Sequence, residues 1–103
     1  MEPSDEDRAL LSARLRVPDH VVERGFGDET VALNLRSGQY HGLNGVAAAM
    51  FGRLRQAEVV GDAVEPLVDE FGVPREVIER DIVVLVRGLE QRGLVELDGD
   101  DGA

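Results

Sequence analysis

Cysteine is absent from the 103 residues, and every one of the eleven basic residues is arginine, so lysine is absent too. Without cysteine there is no disulfide framework, no thiolate metal site and no cysteine nucleophile. No apolar run approaches the roughly 20 residues needed to span a bilayer. The first dozen residues are acidic and do not resemble a secretory signal, so a soluble cytoplasmic protein is expected. A glycine-rich phosphate loop, a Ser-His-Asp arrangement and a Gly-x-Ser-x-Gly elbow are all missing. His20 and His41 fall in separate predicted strands, neither with an acidic partner at metal-ligand spacing. Asp81, set among valines, is expected to bond an amide or an arginine. No catalytic residue, metal or cofactor is expected, and the chain does not read as an enzyme.

Positive charge is also scarce, for the formal net charge is −10. Glu2, Asp5, Glu6, Asp7, Asp98, Asp100 and Asp101 crowd the two ends with only Arg8 against them, a balance of −6. Such ends are expected to be solvated, giving disordered acidic tails over 1–13 and 98–103 around one domain at 14–97. An acidic domain lacks the phosphate-neutralising surface that nucleic-acid affinity requires.

The most informative stretch is Gly38-Gln39-Tyr40-His41-Gly42-Leu43-Asn44. It reads as the second strand of a hairpin running directly into a helix. Ahead of it, Val31-Ala32-Leu33-Asn34-Leu35 has the period-two alternation of a half-buried strand. Ser37-Gly38 suits a two-residue turn with a positive φ. That register sets Leu35 against Tyr40 and Leu33 against Gly42. It puts Leu33, Leu35 and Tyr40 on one face, and Asn34, Arg36, Gln39 and His41 on the other. The far edge of strand 38–43 has no partner in the sequence, and an open edge invites strand addition.

Residues 14–17 and 20–23 read as a first strand interrupted at Pro18, completing a three-stranded antiparallel meander. Helical spacing begins at Asn44, a candidate N-cap, with Val46, Ala47, Met50, Phe51 and Leu54 on one stripe to about Gln56. Asp62 with Glu65 has the pattern of a capping box for a second helix, which Gly72 stops. Pro74 starts a third helix running to about Gln91, closed by Gly93, and Leu94–Leu97 reads as a terminal strand. The expected class is α+β: the meander, then a three-helix bundle like a winged helix-turn-helix, then a short strand.

The third helix has two stripes. Ile78, Ile82, Leu85, Val86 and Leu89 form the core stripe, while Val77, Asp81, Val84 and Gly88 share a second arc. That second arc is either covered by another element or forms the wall of a shallow groove, and spacing leaves both open.

In order and spacing, the run from Asp28 to Asn44, with its aliphatic alternation, glycine turn, Tyr40 and Leu43-Asn44, resembles the PqqD-like peptide chaperones, or RiPP recognition elements. Asp81, Leu85 and Leu89 followed by Gly93-Leu94 resemble the family's closing helix. His20-Val21-Val22 resembles the stand-alone leader-binding proteins of lasso-peptide biosynthesis. The resemblance implies a non-catalytic adaptor whose partner is the leader of a ribosomally made precursor peptide. The leader would add a strand along Gly38, Gln39, Tyr40, His41, Gly42 and Leu43 and lie against Val77, Arg80, Asp81, Val84 and Gly88. It implies delivery to a leader peptidase and a cyclase, and no membrane or nucleic-acid partner. A winged-helix DNA-binding regulator and a structural assembly subunit are the rival readings.

Overall fold

The computed structural model describes residues 4–27 and 29–98. Its order is α1 (Asp5–Ser12), β1 (Arg14–Arg16), β2 (Val21–Phe26), β3 (Glu29–Asn34), β4 (Tyr40–Leu43) and α2 (Gly45–Gln56). A 3-10 turn (Val60–Ala63), α3 (Val64–Phe71), α4 (Arg75–Gln91) and β5 (Glu96–Asp98) complete it. The class is α+β, with antiparallel pairing and four α-helices among the described residues. No described helix is long and apolar enough to cross a membrane.

The N-terminal segment is not a disordered tail where it is described. Ser4 caps α1 by accepting a hydrogen bond from the Asp7 amide, and Asp5, Glu6 and Asp7 occupy its first turn. There their charge complements the positive end of the helix dipole instead of opposing order. Leu10 and Ala13 are buried, and Asp7 pairs with Arg87 of α4. Of the acidic C-terminal end, only Asp98 is described, in β5; residues 1–3 and 99–103 lie outside the described residues.

The expected first strand is two strands. Pro18, which has no amide to donate, separates β1 from β2. β1 leaves the sheet to pair with β5, Leu15 opposite Leu97, while β2 pairs with β3. The terminal strand also starts later than Leu94, because Leu94 and Val95 are core residues. Asp62 does not cap α3: its carboxylate accepts from the Val59 amide and closes the 3-10 turn that precedes the helix.

The core stripe of α4 is buried as its spacing predicts, with Ile82, Val86 and Leu89 fully enclosed against Phe51 and Leu54 of α2 and Leu67 of α3. Gly72 ends α3 at φ +66° and Gly93 follows α4 at φ +68°, conformations that suit glycine.

The hairpin register differs from the expectation by two residues. Leu33 lies opposite Tyr40 and Val31 opposite Gly42, because the turn spans Leu35–Gly38 instead of two residues. Asn34 causes this. Its Oδ1 accepts from the amides of Arg36 and Ser37 at 2.9 and 3.1 Å, an Asx-type turn that prolongs the loop. Its Nδ2 donates to the Gly93 carbonyl at 3.1 Å, tying the hairpin to the end of α4. An even shift keeps Leu33 and Tyr40 on one face, but the core lies on the other. Ala32, Asn34 and Leu43 are buried, while Leu35 and Tyr40 stand 59% and 64% exposed.

Asn34 is the only buried polar side chain among the described residues, and each of its bonds is made. Replacing it with alanine strands the Gly93 carbonyl and frees the turn. Asn34→Ala is expected to destabilise the fold by about 1–3 kcal/mol in chemical denaturation, and a loss below about 0.5 kcal/mol would contradict this role.

Candidate functional site

Among the described residues β4 is an edge strand, paired only with β3. Which of its backbone groups are free follows from parity. The Asn34 amide donates to the Gln39 carbonyl, so Asn34 and Gln39 form a hydrogen-bonded pair. Antiparallel pairs alternate, which makes Ala32–His41 and Thr30–Leu43 the next bonded pairs in this register. The N–H and C=O groups of Tyr40 and Gly42 therefore point away from β3, along the open edge.

α4 runs beside that edge. Val84 is 67% exposed, and Asp81 is exposed too. Among the described residues no element covers the second stripe at Asp81 and Val84. Gly88 brings β4 close: a Cβ there would stand 3.3 Å from His41 Cε1 and 3.6 Å from Arg92 Nη1. The His41 imidazole thus packs over the helix where it has no side chain.

Two clefts meet at His41. One, of about 540 Å³, is bounded by Gly38, Gln39, Tyr40, Gly42 and Arg92. The other, of about 300 Å³, is more apolar, with Val46, Ala47 and Met50 of α2 facing Asp81, Val84 and Leu85 of α4. Together they form a trough along the open edge.

Most residues singled out in the sequence therefore come together: Gly38, Gln39, Tyr40, His41, Gly42, Asp81, Val84 and Gly88. Three do not line the trough. Leu43 is 2% exposed, its side chain in the core because it falls on the same face as Ala32. Val77 is half-buried one turn before Asp81, and Arg80 is exposed; neither lines either of these two clefts. Ser37, Asn44, Val46, Ala47, Met50, Leu85 and Arg92 also line the trough, without standing out in the sequence as site residues. Arg92 was within reach, because it follows Gly88 by four residues and extends the same stripe past the last helical residue.

His41 is held below its ordinary pKa of 6.5, first by burial against α4 and second by the charge of Arg92. The Arg92 guanidinium donates to the Gly88 carbonyl at 3.1 Å.

The model of the family described as coenzyme PQQ synthesis protein D (PqqD) matches residues 29–95. The chain belongs to the PqqD family. The matched segment starts at β3 and ends just before β5, so it contains both walls of the trough. Two solved structures are similar to this PqqD-family chain. TbiB1 in complex with the TbiA(beta) leader peptide is 31% identical, with a TM-score of 0.70 over 79% of this chain and 94% of that one. A lasso peptide synthetase B1 complexed with the leader peptide is 32% identical, with a TM-score of 0.72 over 82% and 99%. No curated protein sequence matches the chain.

The lowered pKa of His41 gives this PqqD-family chain a pH signature. Well above pH 6.5 the imidazole is neutral in folded and unfolded chains alike and adds no pH dependence. Below 6.5 the unfolded chain takes up the proton first, so stability falls as pH drops from 6.5 through the lowered folded value. The difference in denaturation midpoint between pH 7.5 and 5.5 is expected to be smaller in His41→Gln than in the wild type. Equal differences in the two proteins would contradict it.

Proposed function

We propose that this chain is a non-catalytic adaptor that recognises the leader of a ribosomally synthesised precursor peptide, of the lasso class, by strand addition at β4. The observation that carries this reading is the pair of outward-facing backbone groups at Tyr40 and Gly42, flanked by a trough whose far wall is α4. A strand added there pairs with both and drops alternate side chains toward Val84 and Leu85. Family membership and the two leader complexes among similar structures support it. The α2–α4 bundle with its flanking strands is read as a winged-helix-like scaffold, and residues 14–97 as the peptide-binding domain. On this reading the adaptor presents its cargo in the cytoplasm to a leader peptidase and a cyclase.

DNA binding is the weaker reading. Along α4 and its C-cap, Arg75, Arg80, Arg87 and Arg92 are balanced by Glu76, Glu79, Asp81 and Glu90. Arg75 is already paired with Glu65 and Glu79, and Arg87 with Asp7, so these charges are spent within the fold. A recognition helix with that balance has little charge to offer phosphates.

Three substitutions separate the open edge from the rest of the sheet. Gly42→Pro removes an outward N–H without breaking a bond to β3, and its ring obstructs an incoming strand. It is expected to weaken leader binding about tenfold in calorimetric titration, equivalent to one to two lost hydrogen bonds. Gly88→Leu, which displaces His41 and fills the trough, is expected to weaken binding more than folding. Gly25→Pro, at an outward position of the opposite edge strand β2, is expected to leave affinity unchanged. Loss of affinity in Gly25→Pro with full affinity in Gly42→Pro would move the peptide to the other edge.

A further inference from the structure

The trough carries unpaired charge of opposite sign at its two ends. Of the described arginines, Arg14, Arg16, Arg53, Arg55, Arg75 and Arg87 are engaged in ion pairs. Arg92 has no carboxylate partner among the described residues and donates only to the Gly88 carbonyl. Unlike Arg24, Arg36 and Arg80, which are exposed, it is half-buried, set in the cleft beside Gln39 and Tyr40. At the other end Asp81 takes part in no ion pair or hydrogen bond among the described residues and lines the apolar cleft. The exposed side chains of Val46 and Val84 line the apolar cleft beside Asp81, which adjoins the Arg92 cleft at His41.

We propose that Asp81 and Arg92 are the two ends of a charge clamp that selects leaders carrying a basic and an acidic side chain on one face of the added strand, with apolar residues between them. This rests on the strand-addition reading above and deepens it. The spacing follows from geometry. Asp81 and Arg92 are eleven residues apart along α4, about 16 Å at 1.5 Å per residue. An extended strand covers that distance in about five residues at 3.3 Å each. Side chains on one face recur at even intervals, so the two leader charges lie roughly four or six residues apart. Partial shielding at Arg92 strengthens its pairing relative to a fully exposed site. The clamp also supplies discrimination that net charge cannot. A chain of charge −10 attracts any cationic peptide, whereas only Arg92 at the trough's end rewards an acidic residue in register.

The test uses a displayed library of random fourteen-residue peptides selected on the full chain. A parallel selection uses the double variant Asp81→Lys, Arg92→Glu, with its fold checked by circular dichroism. Arg92→Gln serves as a milder single change. Binders to the wild type that protect the amides of Tyr40 and Gly42 are expected to be enriched in a basic and an acidic residue four or six apart. The double variant is expected to invert the signs at those positions. Arg92→Gln is expected to lower the affinity of a wild-type binder about three- to tenfold, an effect that shrinks as salt rises. Binders that protect Tyr40 and Gly42 but show no charge pair, or one that the double variant does not invert, overturn the clamp and leave strand addition standing. If no selected peptide protects those amides, the strand-addition reading fails and the clamp with it.

Discussion

One buried amide holds the working geometry together. Asn34 organises the hairpin turn through its oxygen and reaches the end of α4 through its nitrogen. The first set of bonds fixes a four-residue loop, and with it the register that turns Tyr40 and Gly42 outward. The second fixes how far the C-terminal end of α4 stands from β4. Gly93 makes that approach possible: a Cβ on it would lie 3.0 Å from the Asn34 nitrogen, and its φ of +68° already favours glycine. A register slip of one residue would send the His41 and Leu43 groups outward and turn their side chains away from the core. The same amide therefore specifies the open edge and the width of the trough.

The sheet has two edges, and they differ in how they are managed. On β2 the Val21 amide is already bonded to the Pro18 carbonyl, and Glu23 reaches Arg55 of α2. Proline and charge of this kind discourage an added strand. On β4 the outward residues are Tyr40 and a glycine, and no side-chain charge stands at the edge itself. Its exposure is limited by length, four residues, and by the wall of α4 beside it. A flexible leader that orders along such an edge gives up several kcal/mol of the gross interaction. Backbone pairing at two residues does not offset that alone, so apolar anchors between Val46 and Val84 are required for useful affinity.

Much of this was legible in the sequence because it depends on local rules. Glycine after a periodic run marked the ends of α3 and α4, Asn44 announced α2, and the Ile78–Leu89 stripe identified the buried side of α4. The open edge was legible too, since only one hairpin partner was in sight. What was hidden depends on long-range pairing or on a single side chain's hydrogen bonds. β1 and β5 are three residues each and find one another across the whole chain. The acids of α1 suggested a solvated tail, yet a serine cap and one leucine anchor the segment. The hairpin alternation puts Leu33, Leu35 and Tyr40 on one face, but alternation alone does not say which face meets the helices. The opposite face meets the helices, and on it Ala32 is fully buried, small enough to let them approach. Arg92 escaped notice because it lies just beyond the helix whose stripe it completes.

The account stands on which amides of β4 are free, and residue-resolved hydrogen exchange reads them directly. In the free protein the amides of Tyr40 and Gly42 are predicted to exchange fast, while those of His41 and Leu43 are protected by β3. With leader peptide bound, Tyr40 and Gly42 are predicted to become protected and the already slow pair to change little. Unchanged exchange at Tyr40 and Gly42 under saturating leader, or new protection at Glu23 and Gly25 instead, would contradict strand addition at this edge.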